Sequence, residues 1–265
     1  MNDLELANYR VTELVSHGRD LDVYEVWSLE RSCACMAKVI RPDRWSERQE
    51  ERLRLEAKLL LTLTHPHLVR AYELIERPTL ALIEEMHGGQ TLGALLVERP
   101  RLPVVHLANM IEQLCSVVGY LHGNGFLHLD IKPSNIIADH GRLVLIDLSL
   151  AHAPGVGPRG WGTRSYLSPE QATGGAYTSA TDVWAVGLMA YIAATGISPF
   201  DDSTETSDES LRTTYRQAME RPAAISSARR LPTTLARTID ACLSLDASQR
   251  PTIAELAAVV AGFAT

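Results

Sequence analysis

The first eighty or so residues alternate between short apolar runs and polar, glycine-containing breaks, which is the pattern of an antiparallel meander. Strands are expected over residues 11–15, 23–27 and 33–40, with two more over 72–74 and 80–86. Between them, residues 46–63 switch to helical period. Leu53, Ala57 and Leu60 share one face, Arg52 is placed to attract Glu56, Glu47 and Glu51 repel, and Pro66 stops the helix. After Gly88 and Gly89 the pattern turns helical, over 91–97, 104–124 and 180–195. The shift predicts an α+β chain. Residues 1–87 form a small antiparallel sheet with one helix, and 88–265 a larger, mainly helical part. No internal repeat or heptad is present, and the acidic, Ser/Thr-rich stretch 201–214 reads as a solvated loop leading into a helix.

Composition narrows the class. At 265 residues and 46% hydrophobic, the chain can bury one large core or two small ones. Its 25 Lys+Arg against 32 Asp+Glu leave a net charge of −7 and a pI near 5.7, the opposite of a nucleic-acid-binding footprint. The longest uncharged apolar stretch, 183–196, falls short of the ~20 residues a membrane span needs. The N-terminal MNDLELANYR lacks the apolar core of a secretory signal, so a cytoplasmic location is expected. Four cysteines are too few and scattered for a disulfide framework, and reduced thiols are expected. Neither the Cys33-Ala34-Cys35 spacing nor the nine histidines outline a metal site made of protein ligands alone.

The chemistry concentrates at 128–135, HLDIKPSN, directly after an amphipathic helical stretch. An Asp, a Lys two residues on, a Pro, and an Asn five residues after the Asp form a loop with three capacities. It can aim a carboxylate at a hydroxyl, a cation at a phosphoryl group, and an amide oxygen at Mg²⁺. Shortly after, LVLIDLS carries Asp147 at the end of an apolar strand, as a metal-binding carboxylate would be held.

On these motifs the chain resembles the eukaryotic-type serine/threonine protein kinases, similar to the catalytic domains of bacterial receptor kinases, over nearly its whole length. The resemblance implies the bilobal protein-kinase fold and ATP- and Mg²⁺-dependent phosphorylation of protein substrates. Matching the family's H-R-D-x-K-P-x-N loop makes Asp130 the catalytic base, Lys132 the phosphate-contacting lysine and Asn135 a Mg²⁺ ligand, with Asp147 the metal aspartate of D-F-G. The segment CMAK resembles V-A-I-K, so Lys38 is expected to hold the α- and β-phosphates and Glu56 to pair with it. GTRSYLSPEQ at 162–171 resembles the end of the activation segment, with Thr163 near the catalytic Asp and Glu170 expected to pair with Arg250. Asp182 matches the aspartate that holds the catalytic-loop backbone. The Ser-Pro-Glu and Arg features are absent from small-molecule kinases, which favours protein substrates.

The chain also departs from the family. In LVSHGRDLDVY at 14–24 only Gly18 survives of the three glycines that cover the nucleotide, and Ser16 and Leu21 replace the others. The resemblance still places adenine between Val23 and Ala37 on one side and Ile137 on the other, with hinge backbone groups from about Glu85 to His87. Asp147-Leu148-Ser149 replaces D-F-G. Leu129 replaces the arginine that pairs with a phosphorylated activation loop, so activity is expected not to depend on phosphorylation acting through that arginine. The degraded glycine loop keeps a second reading open, a pseudokinase or very slow kinase serving as a nucleotide-gated binding module.

Overall fold

The alternating N-terminal segments pair into an antiparallel sheet: β1 (Tyr9–His17), β2 (Leu21–Ser28), β3 (Cys33–Ile40), β4 (Ala71–Ile75) and β5 (Ala81–Glu85), in the order β1-β2-β3-β5-β4. The computed structural model describes residues 4–200 and 215–264, so the loop expected at 201–214 lies outside the described residues. Successive side chains on a strand point to opposite faces. One face of the sheet therefore collects Val26, Cys35, Ala37, Val39, Ala81 and Ile83 into an apolar core, closed by Tyr9 and Ile75. Helix α1 (Glu47–Thr62) starts where Ser46 accepts from the Gln49 N–H and ends at Leu63. Leu53, Glu56, Ala57, Leu59 and Leu60 are its buried positions. The Arg52–Glu56 attraction expected from spacing gives way, because Glu56 turns inward to Lys38. The i,i+4 pair on this helix is Arg54 with Glu50 at 2.7 Å. These elements, together with Asp147–Ser149, make one compact unit that extends to Gly88.

The second unit, Gly89–Ile146 and the described residues from Leu150 onward, is mostly helical. Its short strands are β6 (Gln90–Thr91), β7 (Ile136–Asp139) and β8 (Arg142–Leu145), which form one small sheet, and β9 (Gly155–Gly157) and β10 (Gly175–Tyr177), which form another. The helices are α2 (Leu92–Glu98), α3 (Val104–Gly123), α4 (Pro169–Thr173), α5 (Ser179–Thr195), α6 (Ile225–Ala228), α7 (Thr233–Cys242) and α8 (Ile253–Ala261). Nearly every residue of α5 is buried, as expected for a helix that is apolar all round. A capping box between Thr178 and Thr181 starts α5, and a left-handed Gly196 ends it. At Gly187 a side chain would stand 2.4 Å from the Cys242 Cβ, so glycine is what lets α7 approach α5.

By length and composition α3 is apolar enough to cross a membrane, a property the uncharged-stretch reading of 183–196 passed over because Glu112 lies within it. Leu107, Ile111, Leu114, Val118 and Leu121 on α3 are buried in the core, which accounts for its apolar character. All four cysteines are free thiols, with the Cys33 and Cys35 sulfurs 3.9 Å apart. Among the described residues, no group of three or more His, Cys, Asp or Glu is placed to hold a metal.

Candidate active site

In the first unit the site is built on one sheet face. Lys38 lies directly across from Val23 on β2 and Leu82 on β5, and Met36 lies across from Glu84. Alternation puts Val23, Met36, Lys38, Leu82 and Glu84 on the same face, opposite the apolar core. Ala37 is the exception among the expected nucleotide-lining residues. It points into the apolar core with Cys35 and Ile83, and Met36 is the residue that shares the face of Lys38.

Lys38 Nζ donates to Glu56 Oε1 at 2.7 Å and stands 3.0 Å from Glu84 Oε1. Burial works against the charge on Lys38, but Glu56, Glu84 and Asp147 outweigh it and hold the amine above its ordinary value. Burial pushes the Glu56 carboxyl up to about 7 against the pull of Lys38, and it raises Glu84 in the same way. The Leu148 N–H also donates to Glu56 Oε1 at 3.3 Å, and the Ser149 N–H to Asp147 Oδ1 at 2.8 Å, which fixes the direction of the Asp147 carboxylate. The resemblance singled out Lys38 and Glu56, and its place at the end of an apolar strand singled out Asp147, but Glu84 was missed.

The β1–β2 hairpin closes tightly at Gly18. Its N–H donates to Leu21 O at 2.9 Å, its carbonyl accepts from Arg41 Nη1 at 2.9 Å, and a Cβ there would sit 2.6 Å from Leu21 O. Ser16 lies across from Val23 in the same hairpin. At the end of β5 the Glu85 N–H donates to Arg70 O at 2.8 Å, and the His87 ring, largely buried, lies 4.0 Å from the Glu85 carboxylate.

In the second unit the catalytic-loop candidates form one hydrogen-bonded set. Asp130 Oδ1 accepts from the Thr163 N–H at 3.0 Å and from its hydroxyl at 2.7 Å, while Oδ2 accepts from Lys132 Nζ at 2.6 Å. Lys132 also donates to Thr163 Oγ1 at 2.8 Å. Asn135 Nδ2 donates to the Asp130 carbonyl at 3.0 Å, so its amide oxygen is the atom it offers a cation. Ile137 lies in β7 between Thr91 and Val144.

Beneath this set, the fully buried Asp182 accepts from the main-chain N–H groups of His128 at 2.8 Å and Leu129 at 2.9 Å. His122 Nε2 lies 2.8 Å from the same carboxylate, a partner that sequence reasoning missed. These bonds hold Leu129 in a left-handed conformation (φ 67°) that a branched side chain adopts only at a cost of about 1–3 kcal/mol. Gln171 Nε2 secures it from the other side by donating to Leu129 O at 2.8 Å. The Leu129 side chain joins Leu127 and Tyr177 in an apolar cluster against which Leu150 and Trp161 pack. Arg250 meets Glu170 through two bonds of 2.8 and 2.9 Å, as the resemblance implied.

Comparison with known proteins matches residues 9–259 to the protein kinase domain. The chain is 31% identical over 215 residues to the serine/threonine-protein kinase PrkC of Bacillus subtilis (strain 168), covering 76% of this chain and 32% of that protein. It is 30% identical over 207 residues to the serine/threonine-protein kinase PknA of Mycobacterium tuberculosis (strain ATCC 25177 / H37Ra), covering 73% and 48%. It is 31% identical over 175 residues to myosin light chain kinase A of Dictyostelium discoideum, covering 63% and 59%. The chain thus spans less than two thirds of the length of each of these relatives.

Proposed function

Because the chain belongs to the protein kinase family, we propose that it transfers the γ-phosphoryl group of ATP, with Mg²⁺, to serine or threonine hydroxyls of protein substrates. The observation that carries this reading is the Asp130, Lys132 and Thr163 set, which holds a carboxylate and an ammonium side by side. Asp130 orients the attacking hydroxyl and accepts its proton. Lys132 stabilises charge on the phosphoryl oxygens as it develops, at a position held by two oxygen partners before the reaction starts. Lys38, anchored by Glu56, takes the α- and β-phosphates.

The donor set suits Mg²⁺, which takes oxygen ligands, usually one or two carboxylates together with substrate phosphates. By the resemblance, Asp147, whose carboxylate the Ser149 N–H orients, and the amide oxygen of Asn135 are the residues that would hold it. Bound Mg²⁺ would neutralise charge on the β- and γ-phosphate oxygens.

Activity in this reading does not depend on a phosphorylated activation loop paired to a catalytic-loop arginine. Leu129 occupies that position, and its packing with Trp161 and Tyr177 supplies an apolar hold where the family uses charge. The pseudokinase reading draws on the glycine loop, because the Gly18 N–H is engaged by Leu21 O.

The test is incubation of purified protein with γ-labelled ATP and Mg²⁺, with and without a basic protein substrate, beside Lys38→Met and Asp147→Asn controls. Label in wild type alone is the expected result, and phosphatase pretreatment should leave it intact. Absence of label alongside thermal stabilisation by ATP would establish the pseudokinase reading instead.

A further inference from the structure

Lys38 faces two buried carboxylates, and they come from different parts of the unit. Glu56 is carried by α1, whereas Glu84 belongs to β5, the strand hydrogen-bonded to the β3 strand of Lys38 itself. The register places Glu84 two residues diagonally from Lys38 on the same face, within reach of two long side chains. Lys38, Glu56 and Glu84 are 8%, 1% and 3% exposed, so the three charges meet out of water. A lone carboxylate buried so deeply would be costly, and Lys38 is the cation that compensates it. Glu56 Oε1 accepts from Lys38 Nζ at 2.7 Å, and Glu84 Oε1 stands 3.0 Å from the same ammonium as an ion pair.

Resting on the reading of Lys38 as the phosphate-holding lysine, we propose that Glu84 is a positioning residue, a second anchor that keeps the Lys38 ammonium on its sheet face independently of helix α1. The two carboxylates are partly redundant. Loss of Glu56 leaves Lys38 paired with Glu84, and loss of both leaves it only the longer-range charge of Asp147. A chain with one anchor on the helix would lose Lys38 whenever the helix withdrew. Here the anchor on the sheet moves with the lysine, because backbone bonds between β3 and β5 join the two.

The chain offers a direct readout, since its lysines are only Lys38, Lys58 and Lys132. Only the neutral amine attacks an acylating reagent such as sulfo-N-hydroxysuccinimide acetate, displacing N-hydroxysulfosuccinimide, and neighbouring carboxylates suppress that form. The rate of Lys38 acetylation in the protein without nucleotide, relative to the exposed Lys58 and read by peptide mass spectrometry, is compared in wild type, Glu56→Gln, Glu84→Gln and the double variant. Each single variant should raise the ratio about threefold, and the double variant by well over the product of the two. Where phosphoryl transfer is measurable, Glu56→Gln should retain about a tenth of kcat/KM, and adding Glu84→Gln should lower it by a further factor of about a hundred. Glu84→Gln alone should raise KM for ATP with little change in kcat.

Strictly multiplicative effects, or an unchanged Lys38 ratio in Glu84→Gln, would overturn the proposal. So would tighter ATP binding by Glu84→Gln, which would make Glu84 a competitor for the ammonium. If Glu84→Gln unfolds, Glu84→Asp serves the same comparison, because it keeps the charge but withdraws it from Lys38. A wild type that transfers no phosphate would refute the kinase reading and leave the labelling result standing by itself.

Discussion

Arginine 250 is the residue whose loss the structure prices most clearly. Its side chain is fully enclosed, and its guanidinium donates to both Glu170 oxygens, to Ala180 O at 2.8 Å, to Ser244 O at 2.9 Å and to Leu245 O at 3.4 Å. It also lies 5.2 Å over the Trp184 ring. Arg250→Met keeps much of the volume but leaves a carboxylate, 13% exposed, and three carbonyls without their donor. Removing one partner of a buried pair costs about 3–5 kcal/mol. For a chain of this size that is a fall in Tm of about 6–20 °C.

The pH dependence sharpens the test. In the wild type, burial opposes the Glu170 charge, but the Arg250 bonds outweigh it and hold the carboxyl below its ordinary value of 4.5. A depressed carboxylate contributes stability above the unfolded value, and that contribution is lost as pH falls through the folded one. In Arg250→Met burial is opposed only by hydrogen bonds from the Glu170 backbone and the Thr181 side chain, so the Glu170 carboxyl rises, and protonation then costs the folded state less. The gap between variant and wild type should therefore be widest near pH 7 and narrow toward pH 4.5. Urea unfolding followed by tryptophan fluorescence, which includes Trp161 and Trp184 in the same unit, measures it at both pH values. Arg250→Met with Glu170→Leu should be less destabilised than the sum of the single variants by at least about 1 kcal/mol. A loss below about 1 kcal/mol at pH 7, or a gap that stays constant with pH, would refute the reasoning.

Gly18→Ala forces a Cβ against Leu21 O and should cost about 1–3 kcal/mol in thermal unfolding, with a raised KM for ATP in transfer assays. Thr163→Val keeps the shape but removes the hydroxyl that bridges Asp130 and Lys132. Steady-state kinetics should show kcat reduced about ten- to a hundredfold with KM for ATP little moved. Leu129→Arg would place an unpaired cation in the cluster of Leu127, Tyr177 and Trp161, and urea unfolding should show a loss of at least about 2 kcal/mol.

Local features were legible before any coordinates. The loop from His128 to Asn135 brings Asp130, Lys132 and Asn135 together because they lie within six residues of one another, and spacing over so short a span nearly dictates proximity. The helix between Ser46 and Leu63 was readable because its apolar stripe is written in consecutive turns and Pro66 stops it. The assignment of Ala37 failed at the next level. Alternation says that neighbours on a strand face opposite ways, but not which of them shares the face of the charged cluster. Pairing with β2 and β5 put Met36, not Ala37, on the face of Lys38 and Glu84.

Glu84 was invisible for the same reason. It lies 46 residues from Lys38, and no periodicity within either segment carries the register between two strands. The pairing of Trp161 with the Leu129 cluster, and the meeting of His122 with Asp182 across 60 residues, are likewise outcomes of packing. A sequence determines which groups are available and how close near neighbours must lie. Only the folded chain, in which burial removes water and strand register and helix packing select the partners, determined that Lys38 meets a carboxylate from β5 as well as one from α1 and that Leu129 packs with Leu127, Tyr177 and Trp161.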